Sequence, residues 1–197
     1  MGKYIKSFNA KDKNAFTAFS KCGHLNHNHL KSLGVSETKI KNYSRDGLIK
    51  KVAYDIKGQV NNGICYKLTD EGRKVAERKF DLQKFAQNTN GHERHNLDVA
   101  NKYMSLTQEE RATVLNEREV RDLVQDRILE IENKQERDQA SELLDQGAMS
   151  MPDIVYTTEE GVTMAYETTT NNYGEEDIVA KQETCTFIKA ELELHKI

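Results

Sequence analysis

Between Leu33 and Thr69 the chain is interrupted at short intervals, by Gly34, by Gly47 and by the polar run Lys57-Gly58-Gln59-Val60-Asn61-Asn62-Gly63. Glycine clusters of this kind punctuate structure, so only short elements fit between them. Ser36 is a good N-cap, and Ile40 and Tyr43 fall at i, i+3 on one face, which predicts a helix from about Glu37 to Asp46 that Gly47 stops. Leu48 to Ile56 reads as a strand, Ile64 to Leu68 as its hairpin return, and Thr69 as the cap of a helix through Ala76. Upstream, the apolar spacing of Asn14 to Phe19 predicts a first helix. Leu25, Leu30 and Leu33 predict the apolar face of a second across Asn26 to Leu33.

Charge is divided along the chain. Residues 1–80 hold 17 Lys and Arg against 7 Asp and Glu, while residues 81–197 hold 12 against 25. The overall charge of −3 therefore averages a basic part at +10 and an acidic part at −13. Asymmetry of this size in 197 residues suggests two modules with different partners, the basic one a candidate for nucleic acid. No apolar run approaches the roughly 20 residues of a membrane span, and the N-terminus lacks a signal-type apolar stretch, so no membrane partner is expected. Three cysteines, Cys22, Cys65 and Cys185, show no CxxC spacing and make a poor disulfide scaffold, which points to a reducing cytoplasm. Cys22, His24, His27 and His29 match no zinc spacing, and His27 and His29 fall on different faces of a helix. They are expected as solvent-facing or DNA-flanking histidines.

The order helix–helix–turn–helix–hairpin–helix, with the phrases SRDGLIKKV and YKLTDEGRKVA, resembles the winged helix-turn-helix family over residues 14–80. A helix in the major groove needs donors and acceptors on its outer face, with cations beside it for phosphates. With Ile40 and Tyr43 inward, Thr38, Lys39, Asn42 and Arg45 are the expected groove residues, and Lys41, Lys50, Lys51 and Lys57 the flank and wing cations.

Residues 81–92 read as a linker, and Glu93 to Met104 as a helix with Leu97, Ala100 and Met104 on one face. Thr107-Gln108-Glu109-Glu110 is a capping-box pattern. Residues 114–124 are helical only in part, so a strand or bend is expected there, and the charged stretch 125–146 reads as a solvated helix face. Met151 to Tyr156 and Val162 to Thr169 read as strands joined at Glu159-Glu160-Gly161, and Glu176 to Leu194 as a closing helix.

Pro152-Asp153, the hairpin, Glu167-x-Thr169 and the final helix resemble the PD-(D/E)xK nuclease-like fold. That resemblance implies Asp153 and Glu167 as Mg²⁺ ligands, with Glu117 of NEREVRD as an additional acid. Thr169 stands at the family's lysine position and brings no positive charge. Lys181 on the following helix is the expected replacement, completing a catalytic set of Asp153, Glu167 and Lys181. Together with RHNLDVAN and MPDIVYTTEEGVTMAYETTT, these phrases make the whole chain resemble the replication-relaxation family of mobile elements, a winged helix followed by a nuclease-like domain.

The expectation is an α+β protein: a winged helix-turn-helix over 1–80, a linker over 81–92, and an acidic nuclease-like α/β domain over 93–197. Its expected function is binding double-stranded DNA in replication, transfer or transcriptional control of a plasmid, transposon or phage. The acidic domain is expected to be catalytically silent, to need no cofactor, and to serve a homodimer or a protein partner. The alternatives are a Mg²⁺-dependent DNA endonuclease and a protein-binding module such as a phage inhibitor of a host factor.

Overall fold

Asn9 and Asp12 set where the first helix begins. The Asn9 side chain accepts from the Asp12 amide at 3.2 Å and the Asp12 carboxylate accepts from the Asn9 amide at 2.6 Å. Two amides that a helix start leaves unpaired are thereby satisfied reciprocally. The computed structural model describes residues 4–55, 63–89 and 91–197, and it is α+β with two sheets. It divides into two compact units, Met1–Ser105 and Leu106–Ile197.

In the first unit the order is α1 (Ala10–Cys22), β1 (His24–Asn26), α2 (His27–Ser32), α3 (Glu37–Arg45), β2 (Ile49–Tyr54), β3 (Gly63–Leu68), α4 (Asp70–Phe80) and α5 (Glu93–Ser105). The three strands are antiparallel in the order β1-β3-β2. Ser36 caps α3 by accepting from the Lys39 amide, and Thr69 caps α4 by accepting from the Gly72 amide at 3.0 Å. Ile40 and Tyr43 of α3 are buried. Phe16 packs edge-on to Tyr43, ring centres 5.5 Å apart, and lies 5.3 Å from Phe80. Lys57 and the rest of the expected wing loop up to Asn62 lie outside the described residues.

The division between the units differs from the expected linker. α5 buries Leu97, Ala100 and Tyr103 within the first unit, and residues 81–89 form a fastened strap rather than a free connection. Phe85 is buried, the Ala86 amide donates to the Ser20 carbonyl at 2.7 Å, and the Lys67 ammonium donates to the Asn88 carbonyl at 2.7 Å. The polar composition of this strap hid its backbone pairing. Residues 81–105 carry three Lys or Arg and three Asp or Glu, so the first unit still sums to +10 and the second to −13.

Two of the histidines expected at the surface are buried instead, His24 in β1 and His29 in α2. His29 accepts from the Asn26 amide at 3.3 Å and pairs with Asn101 at 2.9 Å. His24 Nδ1 accepts from the Asn96 side-chain amide at 2.9 Å, while its Nε2 is buried with no hydrogen-bond partner among the described residues. Gly23 allows this approach: at φ +76° a Cβ there would stand 2.6 Å from the Asn96 nitrogen.

The second unit runs α6 (Gln108–Thr113), β4 (Leu115–Asn116), α7 (Glu117–Leu129), α8 (Lys134–Asp145), β5 (Ile154–Thr157), β6 (Thr163–Thr169), α9 (Glu175–Ile188) and β7 (Glu191–Lys196). The sheet order is β4-β5-β6-β7, antiparallel except that β7 runs parallel to β6. α9 is the crossover that a parallel pair requires. The expected closing helix therefore ends early: Lys189 turns left-handed at φ 56°, and Glu191 to Leu194 continue as strand. The strand expected within 114–124 is β4 at Leu115–Asn116, and from Glu117 α7 runs on unbroken because Val120, Val124 and Ile128 form one buried stripe at i, i+4, i+8.

Two outcomes follow for the first unit. In α4, a Cβ on Gly72 would stand 2.0 Å from the Leu48 carbonyl oxygen. Gly72→Ala should cost roughly 1–3 kcal/mol in urea unfolding despite its better helix propensity, and an unchanged midpoint would contradict this packing. Burial pushes the His24 pKa down from 6.5 to about 4. The stability held by neutral His24 is complete above pH 6.5 and is lost as pH falls toward 4, up to about 3 kcal/mol. His24→Gln should flatten the stability–pH slope in that window, and parallel slopes for the two proteins would refute it.

Candidate functional site

α3 presents an exposed stripe one turn apart: Thr38, Lys41 and Arg45 are exposed, with Asn42 half-buried between them. Lys41 lies 3.7 Å from Glu37, both well exposed, a pairing too weak to withhold the charge from another anion. The Arg45 guanidinium stands 5.3 Å from the centre of the Tyr4 ring. Lys50 and Lys51 are both exposed on β2. They sit opposite Lys67 and Tyr66 and so leave the sheet on opposite faces.

Lys39 departs from its expected place among the groove residues. Its ammonium lies 3.2 Å from the Asp12 carboxylate, donates to the Ser7 carbonyl at 3.0 Å and stands 5.8 Å from the Phe8 ring centre. The same Asp12 carboxylate accepts from the Tyr43 hydroxyl, whose pKa is raised by burial and by that bond. Lys39 thus positions α3 from inside. Asp12 is a residue that residue-type reasoning passed over, although the Asn9-x-x-Asp12 capping pattern marked it.

In the second unit, Asp153, Glu167 and Lys181 come together. The β5–β6 ladder ends at Ile154 opposite Tyr166. One residue further, side chains replace main-chain pairing. The Asp153 amide donates to Glu167 Oε2 at 2.9 Å, and the Thr168 amide donates to Asp153 Oδ2 at 2.8 Å. Glu167 is 0 % exposed. Its Oε1 accepts from the Tyr173 hydroxyl at 2.5 Å and lies 2.9 Å from the Lys181 ammonium, which also donates to the Met151 carbonyl. Burial, with Asp153 adding to it, pushes the Glu167 pKa up, while Lys181 and Tyr173 hold it down. Tyr173 had no sequence signal. It follows the turn at Asn171-Asn172, and its reach back to Glu167 depends on that turn's geometry.

A magnesium ion requires an octahedral set of oxygens. At Glu167 it would have to displace the Lys181 ammonium from Oε1 and share Oε2 with the Asp153 amide. Glu117 is exposed in the first turn of α7, and among the described residues no three His, Cys, Asp or Glu side chains are gathered as metal ligands. As arranged, the residues do not fit the ion. Thr169 is buried, and its hydroxyl lies 3.4 Å from the His195 carbonyl, which it faces as donor. Cysteine chemistry has no foothold at Cys65 or Cys185 either: burial raises their thiols to about 12 and about 11.

No family model, curated protein or solved structure matches the chain. Among the described residues, no helix is long and apolar enough to cross a membrane.

The Glu167–Lys181 pair has a signed pH dependence. Because the Glu167 pKa is raised, its contribution is present below its usual value of 4.5 and is lost as pH rises through the folded value. Lys181→Met removes the counter-ion and should destabilise the second unit by about 3–5 kcal/mol at pH 7.5, with the deficit shrinking at pH 5 as Glu167 takes a proton. Adding Glu167→Gln to Lys181→Met should recover part of the loss in urea unfolding at pH 7.5. Additive losses would show that the two groups do not act as a pair.

Proposed function

We propose that the chain binds double-stranded DNA through a winged helix formed by its first unit, in replication, transfer or transcriptional control of a plasmid, transposon or phage. The observation that carries this reading is the stripe of Thr38, Lys41, Asn42 and Arg45 on α3. It lies in a unit whose order α1-β1-α2-α3-β2-β3 and strand order β1-β3-β2 support the winged-helix reading. The charge of the unit, +10, supports it, since phosphate attraction supplies most of the sequence-independent affinity for DNA. The mobile-element setting rests on the resemblance of the short phrases quoted above. The second unit, at −13, is proposed as a catalytically silent nuclease-like domain that serves assembly, with itself as a homodimer on a two-fold site or with another protein.

What supports silence is the filled state of Glu167: a hydroxyl, an ammonium and an amide already meet its two oxygens. A second reading, a metal-dependent DNA endonuclease, is favoured by the convergence of Asp153, Glu167 and Lys181. Plasmid incubated with the protein and Mg²⁺ separates the two. The proposal expects intact supercoils, and nicking that disappears in Asp153→Ala would establish the enzyme instead.

For DNA itself, gel retardation of a duplex at rising salt is the test. Arg45→Ala with Lys50→Ala should weaken retention and flatten the salt slope by about two. Lys39→Met should act mainly on stability, because its ammonium is engaged within the protein. Retention unchanged in the Arg45 and Lys50 variant would favour a protein-binding module.

A further inference from the structure

The segment before α1 lies along the C-terminal end of α3 and faces α4 across a cavity. The Tyr4 and Ile5 amides donate to the Asp46 carboxylate at 2.9 and 2.8 Å, which pins this arm to the end of α3. Between the arm and α4 lies a cavity of about 540 Å³. That size is in the range of small-molecule sites, which are mainly apolar with a few placed charges.

The lining fits that description. Leu48 and Val75 form part of the wall, together with Phe8 and Phe80, whose rings meet edge-to-face at 5.6 Å. Lys6, Arg78 and Lys79 add three cations. The acid in the same wall, Asp46, is committed to the two arm amides. Glu71, 3.5 Å from Arg78, offsets part of that one guanidinium's charge. The balance at the cavity is positive beside aromatic carbon.

We propose that this cavity is a binding site for a small aromatic carboxylate, its ring against Phe8 and Phe80 and its charge toward Lys6 and Lys79. A flat apolar body removes water from the two rings and the Leu48 and Val75 side chains. An anionic end meets ammonium groups that a neutral or cationic analogue would leave uncompensated or repel. The site is independent of the DNA reading.

The test uses the full chain and 2-naphthoate, with 2-naphthylmethylammonium as the isostere of opposite charge, measured by titration calorimetry. Naphthoate should saturate with a Kd below ~1 mM, and the ammonium compound should not bind. Lys79→Glu, which reverses one charge, and Ser7→Trp, which fills space beside the arm, should each weaken naphthoate at least about tenfold. The proposal is overturned by absence of saturable naphthoate binding, by equal affinity for the two compounds, or by unchanged affinity in either variant.

Discussion

The Asp12 carboxylate, 2 % exposed, receives the Asn9 amide, the Tyr43 hydroxyl and the Lys39 ammonium. A buried carboxylate without such donors would cost several kcal/mol, so these bonds constrain where α3 lies and how it is rotated about its axis. With Tyr43 and Lys39 turned toward Asp12, and Ile40 buried beside them, Thr38, Lys41, Asn42 and Arg45 are left outward. The proposed reading face is therefore set by a contact on the opposite side of the helix. Any ligand of α3 meets a stripe already oriented by the core.

The second unit solves a similar problem with a different result. Glu167 is also buried, and it too is met by a hydroxyl, an ammonium and an amide. In the first unit these bonds orient a helix and leave its outer face open. In the second they occupy the carboxylate itself. Lys181 then serves as the counter-charge, and the site becomes part of what joins α9 to the end of the β5–β6 ladder.

The elements that were legible in the sequence are those whose signals are local. Ser36, Gly47 and Thr69 mark the ends of α3 and the start of α4, because caps and left-handed turns depend on residues beside them. β1, three residues long, exists only through its partner and has no periodicity to read. Leu192 and Leu194 continue an apolar pattern past the turn at Lys189, so in the sequence β7 looks like the end of the helix. The strap 81–89 has the composition of a linker. What ties it down, the Ala86 amide on Ser20, the Gln87 and Asn88 carbonyls under Asn96 and Lys67, the Asn88 side chain under Arg73 and the burial of Phe85, are tertiary contacts that composition does not report. In the candidate sites, Asp153, Glu167 and Lys181 were found through motif resemblance, and the structure brings them together. Their saturation by Tyr173 and main-chain amides, and the inward turn of Lys39, are tertiary facts that spacing alone does not hold.

The most direct measurement is a titration of the ¹⁵N-labelled full chain with a short DNA duplex, followed by amide chemical shifts. A DNA-reading α3 predicts the largest, salt-sensitive shifts at Thr38, Lys41, Asn42 and Arg45 and along β2 at Lys50 and Lys51. Amides of α7 to α9 should change little. No shifts at low salt, or shifts centred on the second unit with α3 silent, would contradict the proposed role of the basic unit.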